Sequence, residues 1–146
     1  QVQAEIADCP ETIVEMDVVL MQRCLGNLLS NAIDASLPGS SIQLKMEQLS
    51  NKEASREWVR IRVVDHGTGI SRENLQHLSS AYFTTKDSGD ENRGFGLGLA
   101  ICRKIILLHG GHLNITSEEK KGTTVTVDLP TKHQPAIVAS GELQPA

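Results

Sequence analysis

Apolar positions along this chain change period several times, and each change marks an element. Val2, Ala4 and Ile6 alternate with polar neighbours, and Ile13 and Val14 form a less regular run after the turn Asp8-Cys9-Pro10, so two short strands are predicted at the start. From Asp17 the period becomes helical: Leu20 or Met21, Cys24 or Leu25, Leu28, Ala32 and Ala35 recur every three or four residues, with Asp17 as N-cap and Pro38-Gly39 beyond the end. Ile42, Leu44 and Met46 alternate, as do Val59, Ile61 and Val63, and the polar stretch from Ser50 to Arg56 joins them as a hairpin.

Ser71, with Glu73 in the following turn, predicts a short helix to about His77. Residues 80 to 93 carry no period. A helix is predicted from about Gly96 to Leu108, closed by Gly110-Gly111. Leu113 and Ile115, then Thr124 to Leu129, make a last hairpin around Lys120-Lys121-Gly122. Paired strands with helices between and after them, and no repeated βαβ unit, predict an α/β (α+β) sandwich: one mixed, mostly antiparallel sheet with helices on one face. Residues 1–130 are expected to form this domain, and residues 131–146, with further prolines and little period, a flexible tail or linker.

Composition narrows the core and the partners. With one Trp, one Tyr and two Phe in 146 residues, the core must be aliphatic. A net charge of -4 without a Lys/Arg cluster among aromatics argues against nucleic-acid binding, although a few placed cations and backbone N–H groups could still hold an anion. Cys9, Cys24 and Cys102 are odd in number and widely spaced, which suits buried thiols in a reducing, cytoplasmic setting. No apolar stretch approaches the roughly 20 residues that span a bilayer, so no direct membrane contact is expected. The chain begins at Gln1 in mid-pattern, without an initiator Met, as a piece of a larger protein would. The five histidines show no metal-ligand spacing and are expected to be structural or exposed.

Three glycine- or Asn-bearing segments carry candidate chemistry, and each has a plainer alternative. Asp65, in Asp65-His66-Gly67-Thr68-Gly69 at the end of an apolar strand, could accept the exocyclic amine of a base while the glycines let backbone approach it; it could equally be a polar turn. Gly94, Gly96 and Gly98 stand where an aperiodic segment becomes a helix, which suits phosphate on exposed N–H groups or a simple linker. Asn27, Asn31 and Asp34 share one face of the first long helix with Arg23, either as its solvated side or as oxygen donors for Mg²⁺. The aperiodic loop between the glycine motifs is placed as a lid, with Phe83 as hinge or anchor and Lys86 and Arg93 as cations for phosphates.

In their order, Asn31, Asp65-x-Gly67-x-Gly69, Phe83 and Gly94-x-Gly96-x-Gly98 resemble the N, G1, F and G2 boxes of the histidine-kinase-type ATP-binding domain. That superfamily includes gyrase, the large heat-shock chaperone and the mismatch-repair ATPase. The resemblance runs from about Ile6 to Pro130, and Asn-Leu-Leu-Ser-Asn-Ala-Ile-Asp-Ala and Phe-Thr-Thr-Lys are similar to sensor kinases of the nitrogen-regulation and dicarboxylate-sensing group. Ser79 and Ala81 stand where that group usually has Phe and Pro. The resemblance implies the Bergerat-type ATP-binding fold, with five strands and about three helices.

It further implies that Asp65 binds adenine, with Gly67, Gly69 and Ile70 beside the base, and that Asn31 coordinates Mg²⁺ with Asp34 nearby. Phe83, Thr84, Thr85 and Lys86 would belong to the lid, and Gly94, Phe95, Gly96, Leu97, Gly98 and Leu99 would line the triphosphate. Hydrolytic relatives carry a general-base Glu four residues before the N-box Asn, where this chain has Asn27. Phosphotransfer is therefore favoured, with Asn27, Lys86 and Arg93 as the catalytic set and ATP and Mg²⁺ as cofactors. The implied partners are a histidine-containing dimerisation domain of the same homodimeric protein and a response regulator. The domain would be cytoplasmic, and its parent either soluble or held in the bacterial inner membrane. A nucleotide-sensing module without phosphotransfer, or a chaperone-like ATPase, are the alternatives.

Overall fold

A computed structural model describes residues 3–7, 11–51, 56–80 and 96–132. Five strands, β1 (Gln3–Ala7), β2 (Ser41–Asn51), β3 (Arg56–Asp65), β4 (His112–Glu118) and β5 (Gly122–Pro130), form one sheet in the order β1-β2-β3-β5-β4. The β1–β2 pair is parallel and every other pair antiparallel, so the sheet is mixed and mostly antiparallel, as the patterning predicts. Helix α1 (Val18–Ala35) lies between β1 and β2 in sequence; α2 (Arg72–Ser80) and α3 (Gly96–Leu108) lie between β3 and β4. Helices α1 and α3 pack on each other, α1 on β3 and β5 and α3 on β4, and they carry the helical layer.

The second predicted strand does not form. Residues 11–17 run as irregular chain, Ile13 is 90% exposed, and one backbone bond, Glu15 N to Thr131 O at 2.9 Å, ties the segment down. Two adjacent apolar residues could not supply the alternation that a half-buried strand requires. The same bond draws Thr131 into the domain: Thr131 is buried, and its N–H and hydroxyl both donate to Glu57 O. Helix α2 runs to Ser80, beyond the predicted His77.

The helix ends follow their local chemistry. Asp17 is extended, and its carboxylate accepts the Leu20 N–H at 2.9 Å. Ser71 Oγ accepts from Asn74 N at the head of α2. At the end of α3, Gly110 N donates to Leu107 O and Gly111 N to Ile106 O, which satisfies carbonyls that the helix leaves open. His109 fastens the two long helices together: its Nδ1 lies 2.7 Å from Ile105 O while its Nε2 accepts from Asp17 N at 2.9 Å. This pairing requires the neutral ring with its proton on Nδ1, a structural role.

The core is aliphatic. Met21, Cys24, Leu28 and Ala32 form one stripe of α1, packed with Leu99, Cys102, Ile105 and Ile106 of α3 against Ile42, Val59, Ile61, Val63, Val125, Val127 and Leu129 of the sheet. Cys24 and Cys102 are both free thiols with no exposed surface, where α1 meets α3. Cys102 Sγ reaches Cys24 O at 3.4 Å. The adjoining Cys102 thiol, reinforced by burial, pushes the Cys24 thiol far above its usual range, so it stays protonated. Cys9 lies outside the described residues. Among the described residues, no helix is long and apolar enough to cross a membrane.

Candidate functional site

The site grows out of the strand register. Across the helix-covered face, Val59 pairs with Leu129, Ile61 with Val127 and Val63 with Val125, and on the far side of β5 Val127 pairs with Leu113 and Val125 with Ile115, giving three apolar rows. The next row along is polar: Asp65 on β3 faces Thr123 on β5, which faces Ser117 on β4. Asp65 and Thr123 are only 5% and 9% exposed, so this row caps the core.

Burying a carboxylate is costly unless its lone pairs are met. Asp65 Oδ1 accepts two backbone N–H groups, Gly67 N at 2.9 Å and Thr123 N at 3.2 Å. Both bonds fall on the same oxygen, and no described residue bonds Oδ2. Among the described residues, Oδ2 is thus left as an open acceptor.

The loop after Asp65 is held from two sides. Thr68 N donates to Ala35 O, the last residue of α1, at 3.0 Å, and Lys120 N in the β4–β5 turn donates to Thr68 O at 2.7 Å. Gly67 is required because a Cβ there would collide with the Ala35 carbonyl. Gly69 has φ +65°, and a Cβ there would collide with the Glu118 carbonyl. Ile70 N then donates to Ser117 Oγ at 2.8 Å.

Helix α1 runs from this loop toward the start of α3. Ala35, Asn31 and Asn27 follow at intervals of four residues on one face, so Asn27 lies about 12 Å along the axis from Ala35. Asn31 is half-buried, and its Nδ2 is fully enclosed with no hydrogen-bond partner among the described residues. Asn27 reaches the first turn of α3: a Cβ on Gly98 would stand 3.9 Å from the Asn27 amide. The first N–H groups of α3 have no partner within the helix and form its positive end.

Not every residue grouped by sequence joins this face. Arg23 and Asp34 are exposed on α1. Leu99, placed with the triphosphate by resemblance, is a core side chain with 5% exposure, and only its backbone N–H belongs to the first turn of α3. Gly96 and Leu97 open that helix. Phe83, Thr84, Thr85, Lys86, Arg93, Gly94 and Phe95 lie outside the described residues. Thr123 and Ser117 escaped the sequence reading. Ser117 continues the alternation Leu113, Ile115, and Thr123 begins the alternation Val125, Val127, so period two could have placed both on the buried face.

A family model described as histidine kinase-, DNA gyrase B-, and HSP90-like ATPase matches residues 16–133. The chain belongs to this family. Among similar ATPase-family relatives, sensor protein DegM of Bacillus sp. (strain B21-2) is 30% identical over 133 residues, covering 91% of this chain and 33% of DegM. Sporulation kinase D of Bacillus subtilis (strain 168) is 36% identical over 104 residues, covering 71% of this chain and 18% of that kinase. The chain thus spans a third or less of these two relatives. A solved nucleotide-free catalytic domain of histidine kinase ThkA superposes with a TM-score of 0.65 at 29% identity, over 90% of this chain and 78% of that domain. The ATPase family that the motif order resembles and the sandwich predicted by the patterning are those observed.

Proposed function

We propose that this domain binds Mg-ATP and donates the γ-phosphate to a histidine on a separate dimerisation domain of the same homodimeric sensor protein, from which a response regulator receives it. The observation that carries this reading is the Oδ2 of buried Asp65, unmet among the described residues and set at one end of an α1 face whose other end reaches the glycine start of α3. Asp65 takes the adenine amine, Gly67, Gly69 and Ile70 flank the base, and the N–H groups of the first turn of α3 take phosphate oxygens. The residues present fit Mg²⁺: Asn31 offers an amide whose enclosed nitrogen lacks a partner among the described residues, and its oxygen can serve a cation that keeps most of its waters. Bound there, Mg²⁺ would neutralise phosphate charge. Among the described residues no group of three or more His, Cys, Asp or Glu competes for a metal.

Asn27 separates transfer from hydrolysis. An amide cannot take a proton from water, and this one lies against Gly98 at the start of α3. The domain therefore positions and neutralises, with Lys86 and Arg93 as further cations, and the acceptor histidine's own surroundings supply any base. In a chain that includes the helical histidine region, γ-labelled ATP should leave acid-labile label on histidine. Tight ATP binding with no label would instead indicate a nucleotide-sensing module, and steady phosphate release by the domain alone a chaperone-like ATPase.

Asn31→Ala tests the metal. Titration calorimetry with and without Mg²⁺ should find the metal's contribution to ATP affinity largely gone in the variant. An unaltered Mg²⁺ requirement would remove Asn31 from coordination.

A further inference from the structure

Proton counting along the polar row assigns a direction to each hydroxyl. Ser117 Oγ lies 2.9 Å from Gly122 O, and a carbonyl can only accept, so the single Ser117 proton is committed there. Ser117 Oγ also lies 2.8 Å from Ile70 N, which can only donate, and 2.9 Å from Thr123 Oγ1. With its proton used, Ser117 must accept from Thr123. Thr123 then has no proton left, and its oxygen can only accept from anything else. Beside it, Asp65 Oδ1 is filled by two N–H groups and Oδ2 is an acceptor. The side-chain groups of the row thus offer acceptors and no donor.

We propose that Ser117 is a positioning residue that sets this polarity, and that through Thr123 it makes the site select 6-amino purines over 6-oxo purines. The inference rests on the base lying at Asp65, as in the proposed function. At the purine 6-position an adenine amine brings the donor that such a row needs, whereas hypoxanthine carries its donor on N1 instead. A hypoxanthine or guanine carbonyl at the same place meets lone pairs head on, and a site of fixed polarity rejects a mismatched partner more strongly than one that can turn its hydroxyl. Without Ser117, the Thr123 hydroxyl is free to rotate and donate to that carbonyl.

The test is the ratio of Mg-ATP to Mg-ITP affinity, measured by calorimetry on this domain, Ser117→Ala and Ser117→Thr. ITP differs from ATP at the purine 6-position and the adjoining N1, and the triphosphate is unchanged. The parent should favour ATP by at least roughly tenfold; Ser117→Ala should cut the ratio by about three- to tenfold, the reach of one neutral hydrogen bond, and Ser117→Thr should restore it. A purely structural serine would weaken both nucleotides equally and leave the ratio alone. Should Ser117→Ala not fold, Thr123→Val, which keeps the strand shape and removes the oxygen, must lower the ratio instead. A parent that binds ATP without preferring it to ITP, or a folded Ser117→Ala or Thr123→Val with the parent's ratio, overturns the role of Ser117 while leaving the ATP site standing. A parent that binds neither nucleotide overturns the ATP reading itself.

Discussion

Asp65→Asn lowers ATP affinity by about ten- to a hundredfold, the reach of a hydrogen bond to a charged acceptor, while the unfolding temperature of the free domain barely changes. The two halves of this expectation come from the two carboxylate oxygens. Asn keeps an oxygen in the place of Oδ1, where Gly67 N and Thr123 N are bound, so the loop retains its anchor. It puts an N–H₂ in the place of Oδ2, donor against donor for an incoming amine. Asp65→Ala should differ by also lowering the unfolding temperature, since both backbone N–H groups then lose their partner. Calorimetry and thermal unfolding on the same samples decide the matter, and equal ATP affinity in Asp65→Asn and parent would refute the adenine role.

Gly67→Ala should cost about 2 to 3 kcal/mol of stability in urea unfolding and weaken nucleotide binding with it. The added methyl would occupy the space of the Ala35 carbonyl, which is backbone at the end of a packed helix and cannot swing aside as a long side chain could. Either α1 or the loop must retreat, and the Thr68 N to Ala35 O bond goes with it. Gly26→Ala provides the contrast. That glycine is in mid-helix with open space around its missing Cβ, so Ala should stabilise by about 0.5 to 1 kcal/mol. Equal unfolding midpoints for Gly67→Ala and the parent would mean that the loop is not clasped against α1.

Much of the fold is legible because local periods report local structure. The stripe Cys24, Leu28, Ala32 and the cap at Asp17 are settled within a few residues of chain, and α1 forms where they place it. Ile13 and Val14 mislead because two apolar neighbours satisfy a composition but no period, and their path is set by long-range contacts: Glu15 N to Thr131 O, Thr12 Oγ1 to Gln48 and the packing of Val14 on the core. Asp65 is found by its glycines. Ser117 and Thr123 are not, since their meaning comes from register: they matter because they face each other and Asp65 across three strands, which no window along the chain displays. The amide of Asn31 is legible as residue type and spacing, whereas the enclosure of its nitrogen, without a partner among the described residues, appears only once the helices are packed.

The sequence of rows also sets where the domain can be engineered. The three aliphatic rows tolerate exchange among Val, Ile and Leu at similar volume, and such repacking leaves the open end untouched. Valines at 117 and 123 would extend the oily face by one step and strip the hydroxyls from the polar row, so a thermostability screen blind to nucleotide would drift toward a sturdier protein that selects its base less well. Selection for heat resistance has a safer target at the opposite end of the helices from Asp65, where the Asp17 backbone N–H meets His109.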